Sequence, residues 1–142
     1  MWSGAFGEKY TDRNNYTNQL LDEFYLNTWG VTRKVLDADF LLPIKNNLKT
    51  ILEVGCNRGC QLFKLKEMGF SGLHGVEIQS YAIEKLKEVD GSINVKQGSI
   101  LDIPFPDNSF DLVYTSGVLI HISPKDIELA LKEIIRVSRR YI

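Results

Sequence analysis

Long apolar runs, paired cysteines and a charge imbalance are all missing from this sequence. None of its 142 residues belong to an apolar stretch approaching the roughly 20 residues that a membrane-spanning helix needs, so no membrane partner is expected. The opening Met1-Trp2-Ser3-Gly4-Ala5-Phe6-Gly7-Glu8 has no basic region followed by an apolar core, so no secretory leader is expected either. Seventeen Lys and Arg against 18 Asp and Glu leave a formal net charge of −1, which argues against a broad electrostatic footprint for nucleic acid. There are two cysteines, Cys56 and Cys60. Their spacing is not C-x-x-C and no second pair completes a metal site, so both are read as reduced thiols of a cytoplasmic protein without a metal. No internal repeat or low-complexity segment interrupts the chain. The 44% hydrophobic and 25% charged fractions are those of an ordinary single domain.

The pattern along the chain divides it into an N-terminal cap, residues 1–48, and an α/β core, residues 49–142. Residues 1–16 are aromatic, Gly-rich and polar, with no clear period. Thr17 is placed to cap a helix carrying Leu20, Leu21, Phe24, Tyr25 and Leu26, which Gly30 ends. A second helical pattern runs from about Thr32 to Leu42 and stops near Pro43. Strands are expected at about 50–54, 73–78, 93–97 and 111–115. A helix follows Gly59 and ends at Gly69, another starts at a Ser80 cap, and Ser123-Pro124-Lys125-Asp126 reads as the start of a last helix carrying Ile127, Ala130, Leu131, Ile134, Ile135 and Val137. Strands alternating with helices predict a parallel sheet covered on both faces.

The most informative segment is Ile51-Leu52-Glu53-Val54-Gly55-Cys56-Asn57-Arg58-Gly59. It reads as a strand, a tight turn and a helix N-terminus, which together bring backbone N–H groups close to a ligand. It is not the dinucleotide fingerprint G-x-G-x-x-G. It fits acidic-x-Gly-x-Gly-x-Gly with one substitution, Asn57 for the middle glycine, and Asn tolerates positive φ better than most residues. Taken alone, the segment fits an ordinary strand-to-helix turn equally well. The next strand ends at Glu77, 22 positions after Gly55. An acidic side chain there can accept hydrogen bonds from both ribose hydroxyls of a nucleoside, because ligands of open α/β sheets bind at the carboxyl ends of the strands. The plainer alternative is a solvent-facing glutamate opening a loop.

The Glu53–Gly59 turn resembles motif I of the class I S-adenosylmethionine-dependent methyltransferases, and Phe110–Ile122 resembles motif IV and its neighbours. A narrower resemblance, to the methylases associated with pseudaminic acid biosynthesis, rests on six islands in order: Trp2–Asn14, Trp29–Arg33, Gly75–Ile78, Gly98–Ile100, Gly117–Ile122 and Arg136–Ile142. The resemblance implies a Rossmann-like α/β fold with a parallel sheet in which strands 3-2-1-4 are present and strand five is cut short. The chain would then be a single, partial methyltransferase domain over residues 1–142, and its fourth strand would be an exposed edge open to homodimerisation.

By the same resemblance the cofactor is S-adenosyl-L-methionine and the acceptor a nonulosonic (pseudaminic) acid-type sugar or a pathway intermediate. The cofactor would be held by Glu53, Gly55, Cys56, Asn57, Gly59, Glu77, Ile78, Ser99, Ile100, Thr115 and Ser116. Ser99 stands where many methyltransferases carry an acidic residue. His121 is the candidate base, since its ordinary pKa lies near neutrality; a packing or capping role is its alternative. Tyr10 and Arg13 complete the polar candidates if the N-terminal segment folds over the site, with Arg13 pairing a carboxylate. Two other readings stay open: a catalytically incompetent S-adenosylmethionine-binding domain, and a nicotinamide-dependent oxidoreductase fragment.

Overall fold

The computed structural model describes residues 2–142. Its centre is a parallel sheet built from β1 (Ile51–Val54), β2 (Leu73–Glu77), β3 (Asn94–Gln97), β4 (Phe110–Tyr114) and β5 (Ser138–Tyr141), in the order β3-β2-β1-β4-β5. Six helices are arranged around it: α1 (Ala5–Arg13), α2 (Asn18–Trp29), α3 (Arg33–Leu41), α4 (Cys60–Glu67), α5 (Ser80–Val89) and α6 (Ile127–Val137). The expected Rossmann-like sheet is thus present. Its fourth strand, however, is not an edge. β5 pairs with β4 in parallel, Phe110 opposite Ser138 and Leu112 opposite Tyr141, so the route to a dimer through a bare fourth strand is closed.

Alternation along the strands explains the layers. Ile51 aligns with Leu73 and Leu112, and these side chains share one core with Leu62 and Leu65 of α4 and Leu86 of α5. Leu52 and Val54 point the other way, joining Val76, Val113 and the Ala130, Ile134 and Val137 face of α6. Ile134 is buried while its neighbour Ile135 remains exposed. Asp111 ties β4 to β5 and to the residues that lead into β1. Its carboxylate accepts from the backbone N–H of Lys49 and Thr50 at 2.9 and 3.0 Å and from Arg139 Nη1 of β5 at 3.0 Å. Burial works to raise its pKa, but these donors outweigh burial and hold it below the usual carboxylate value.

Local signals account for most helix boundaries. The Thr17 hydroxyl accepts from Leu20 N–H, and Gly30 ends α2 in the left-handed region. Two boundaries differ from expectation. Ser80 is the first residue of α5 rather than its cap, which is Gln79. Residues 123–126 form a turn, with Asp126 N–H donating to the Ser123 carbonyl, so α6 begins only at Ile127. α1 replaces the patternless segment expected at the N-terminus. α2 lies against α4, where the buried Lys64 ammonium meets Asp22 at 2.7 Å. No helix of the described residues is long and apolar enough to cross a membrane.

Candidate functional site

The carboxyl ends of β1 and β2 open beneath α1 and α2 into a cavity of about 480 Å³. Its floor is the glycine turn. Gly55, Asn57 and Gly59 all have positive φ, at 78, 46 and 77°. Asn57 therefore adopts the conformation that its motif position needs, at the modest cost Asn incurs there. A Cβ on Gly55 would lie 2.4 Å from Val118 Cγ2, so the close approach of the turn to the Gly117–Val118 segment requires glycine. Gly59 serves a different end. It does not line the cavity, and a Cβ there would strike Leu86 Cδ1 at 2.6 Å, so it is small in order that α4 can pack on α5.

Glu77 is buried, contrary to the plain loop reading. Its Oε2 accepts from Asn57 N–H at 2.8 Å and its Oε1 from Gln79 N–H at 2.9 Å. Burial raises its pKa, opposed by the backbone N–H groups of Gln79, Asn57 and Ile78. The turn thus orients the carboxylate, which lines the cavity together with Ile78, Ser99 and Ile100. The Ser99 hydroxyl accepts from Leu101 N–H at 3.1 Å, and the hydroxyl proton stays free for a ligand acceptor.

At the other end lies Glu53, 3% exposed, with Oε2 lacking a hydrogen-bond partner among the described residues. Burial pushes its pKa up to about 8, while the nearby Arg33 charge and Tyr114 hydroxyl pull it down. The Tyr114 hydroxyl is close enough to influence the carboxyl but makes no hydrogen bond of good geometry, and it too is unpartnered. Unsatisfied buried acceptors are costly and uncommon, so Glu53 on a cavity wall fits a ligand donor. The Glu77 carboxylate, the glycine floor and Glu53 together suit a nucleoside linked to an amino-acid ammonium.

Most of the candidates meet on this wall: Tyr10, Glu53, Gly55, Cys56, Asn57, Glu77, Ile78, Ser99, Ile100, Ser116 and His121. Three do not. Gly59 is a packing residue; Thr115 donates its hydroxyl to the Val54 carbonyl at 2.7 Å; Arg13 is exposed at the far end of α1. His121 ends a short 3₁₀ turn, Leu119–His121, with its ring 4.7 Å from that of Trp2. The α1 segment is held down by Gln79, whose Nε2 donates to the carbonyls of Trp2 and Gly4 at 3.0 and 3.3 Å. Tyr81 donates to Asp12 at 2.8 Å from the same side.

Gln79 was not legible beforehand, and neither were the rings of Tyr16, Phe24, Tyr25 and Trp29, which line the cavity from α2 and its approach. The spacing places Phe24 and Tyr25 on the expected helix without saying what their rings face. In the structure Leu21 is the buried residue of α2, while Phe24 and Trp29 are 40% and 58% exposed.

The sequence profile of the methyltransferase domain family matches residues 52–140. A protein described as a probable methyltransferase, ltbC of Aspergillus luteorubrus, is 29% identical over 94% of this chain and 50% of its own length. Cycloartenol-C-24-methyltransferase of Arabidopsis thaliana is 27% identical over 92% of this chain and 45% of its own. Among solved structures, S-adenosylmethionine-bound CalS10, an amino pentose methyltransferase from Micromonospora echinaspora, superposes with a TM-score of 0.64 at 13% identity, covering 94% of this chain and 51% of that one. The chain therefore spans about half the length of the curated relatives it matches.

Proposed function

The chain belongs to the methyltransferase domain family, of the class I S-adenosylmethionine-dependent kind, and from that premise we propose that it methylates a nonulosonic (pseudaminic) acid-type sugar, or an intermediate of that class, in the cytoplasm. One observation carries the acceptor class. Five of the six islands that resemble the pseudaminic acid-associated methylases contribute to one cavity wall: Trp2, Tyr10 and Asn14 from the first, Trp29 from the second, Glu77 and Ile78 from the third, Ser99 from the fourth, and Val118 and His121 from the fifth. Five of six islands meeting at one cavity is what a shared ligand would leave. Relatives are named for cycloartenol and for an amino pentose, so family membership alone does not choose the acceptor.

When bound, the cofactor supplies a methyl group made electrophilic by its sulfonium. Glu77 is the residue to hold the ribose hydroxyls, since both of its oxygens are already aimed by backbone donors. Ile78 offers an apolar surface to the adenine, and Ser99 a hydroxyl to its edge. Gly55 keeps the floor open, and Glu53 offers an acceptor to an ammonium. The protein's remaining task is to hold the acceptor in line and exclude water, a role for Trp2 and Tyr10 of the overlying segment. His121, beside Trp2, is the candidate to accept a proton from the acceptor.

The test is transfer of radiolabelled methyl from S-adenosylmethionine to a set of nonulosonic acids, their amino-sugar precursors and neutral hexoses. Label in the first two groups alone supports the proposal. Label in the hexoses as well, or in none of the three while S-adenosylhomocysteine still binds, would remove the acceptor assignment and leave the donor.

A further inference from the structure

We infer that the α2 side of the cavity takes an uncharged sugar ring, stacked on Trp29 and Phe24, so that methylation precedes the class of reaction that installs the acceptor's carboxylate. The assignment rests on the proposed sugar acceptor and chooses, within that class, the neutral intermediate over the sugar acid.

The charges on the wall have one sign. Among the described residues that line the cavity, Glu53 and Glu77 carry carboxyl groups and none is Lys or Arg. The cations close by are engaged elsewhere. Arg33 donates from Nε to Asp37 Oδ1 at 2.8 Å and from Nη1 to the Tyr25 hydroxyl at 3.0 Å. Lys64 pairs with Asp22 at 2.7 Å. Burial keeps Glu53 largely protonated near neutral pH, and beside the cofactor's ammonium it ionises to a negative charge, so in neither state does it attract an anion. His121 must be neutral to serve as the candidate base. The cofactor brings a net positive charge, at its sulfonium, which the Glu77 carboxylate offsets. A carboxylate or phosphate entering this space would lose water with no cation to pair it.

The rings supply what a neutral sugar needs instead. Phe24 meets Trp29 edge-on at 5.5 Å and 90°, and Tyr25, fixed by Arg33, lies 4.6 Å from Trp29. Trp29 remains 58% exposed on the cavity wall. The face of a pyranose that carries C–H groups is apolar and weakly positive, and it stacks on the negative face of an aromatic ring without a formal charge. Tyr10, Asn14 and Ser116 line the same cavity and are neutral polar groups of the kind that bind hydroxyls.

The test uses matched pairs: N-acetylhexosamines and the uronic acids formed from them by oxidation at C6, titrated by ligand-detected NMR into protein saturated with S-adenosylhomocysteine. Each neutral sugar should bind roughly tenfold or more tightly than its uronate. Trp29→Leu should weaken the neutral sugars severalfold while S-adenosylhomocysteine binds as before, which also reports the fold. Trp29→Arg supplies the absent cation and should bring each uronate to within roughly threefold of its neutral partner. If Trp29→Arg does not fold, Phe24→Arg takes its place. Uronates that bind native protein as tightly as the neutral sugars overturn the inference, and so does a Trp29→Leu variant that holds neutral sugars unchanged. If neither class binds while S-adenosylhomocysteine does, the sugar acceptor falls and the inference with it. Failure of native protein to bind S-adenosylhomocysteine overturns the methyltransferase reading itself.

Discussion

Gly55 and Asn57 share one turn and one sign of φ, yet they should respond oppositely to substitution. Alanine at Gly55 meets Val118 Cγ2 at 2.4 Å in a left-handed conformation. Gly55→Ala is expected to lower stability by roughly 1–3 kcal/mol in urea unfolding. Asn57→Gly restores the unbroken glycine pattern at φ 46° and should stay within about 0.5 kcal/mol of the parent. Equal losses at both positions would show that the turn is not set by backbone conformation. Glu53 gives a pH signature. Burial raises its pKa from 4.5 to about 8, so between those values the folded chain keeps a proton that the unfolded chain has released. Unfolding then liberates a proton, and stability contributed by Glu53 falls as pH rises, by at most about 1.4 kcal/mol per pH unit. Glu53→Gln does not titrate, so its stability relative to the parent should rise from pH 5 to pH 8. A constant difference across that range would mean that Glu53 is ionised throughout.

Among the elements, α1 depends on few contacts. Only Gly7 and Thr11 are buried on it, and there is no room at Gly7, where a Cβ would lie 1.9 Å from the Trp2 carbonyl and 2.2 Å from Gln79 Nε2. Its attachment to the cavity rim runs largely through Gln79 and the Tyr81–Asp12 hydrogen bond. Gln79→Ala should therefore expose α1 to limited proteolysis and speed S-adenosylhomocysteine release roughly five- to thirtyfold, as loss of one or two hydrogen bonds near 1 kcal/mol each would do. An unchanged release rate would show that α1 does not hold the ligand in. The same economy of contacts explains why α1 was not legible: a helix that buries a glycine and a threonine has no apolar period to read. The glycine turn, Glu77 and the alternating strands were legible because each follows from local backbone needs or from periodicity. The aromatic face of α2 was legible only as part of a helical pattern, because periodicity identifies a face without saying whether protein or ligand covers it. Gly59 carried a motif position yet answers to Leu86, a contact set by helix packing across the fold.

At the scale of the molecule, β5 completes what the fourth strand needed, with Arg139 reaching back to Asp111 at 3.0 Å. That leaves an ordered sheet whose strand ends present one cavity, and the account stands on that cavity holding S-adenosylmethionine. Isothermal calorimetry of native chain and Glu77→Ala with S-adenosylhomocysteine, and of native chain with NAD, tests it most directly. The account predicts S-adenosylhomocysteine binding to the native chain in strong preference to NAD, and a loss of roughly 1–3 kcal/mol in Glu77→Ala as a buried charge-assisted contact disappears. Equal or tighter binding of NAD, or the same S-adenosylhomocysteine affinity without the Glu77 carboxylate, would contradict it.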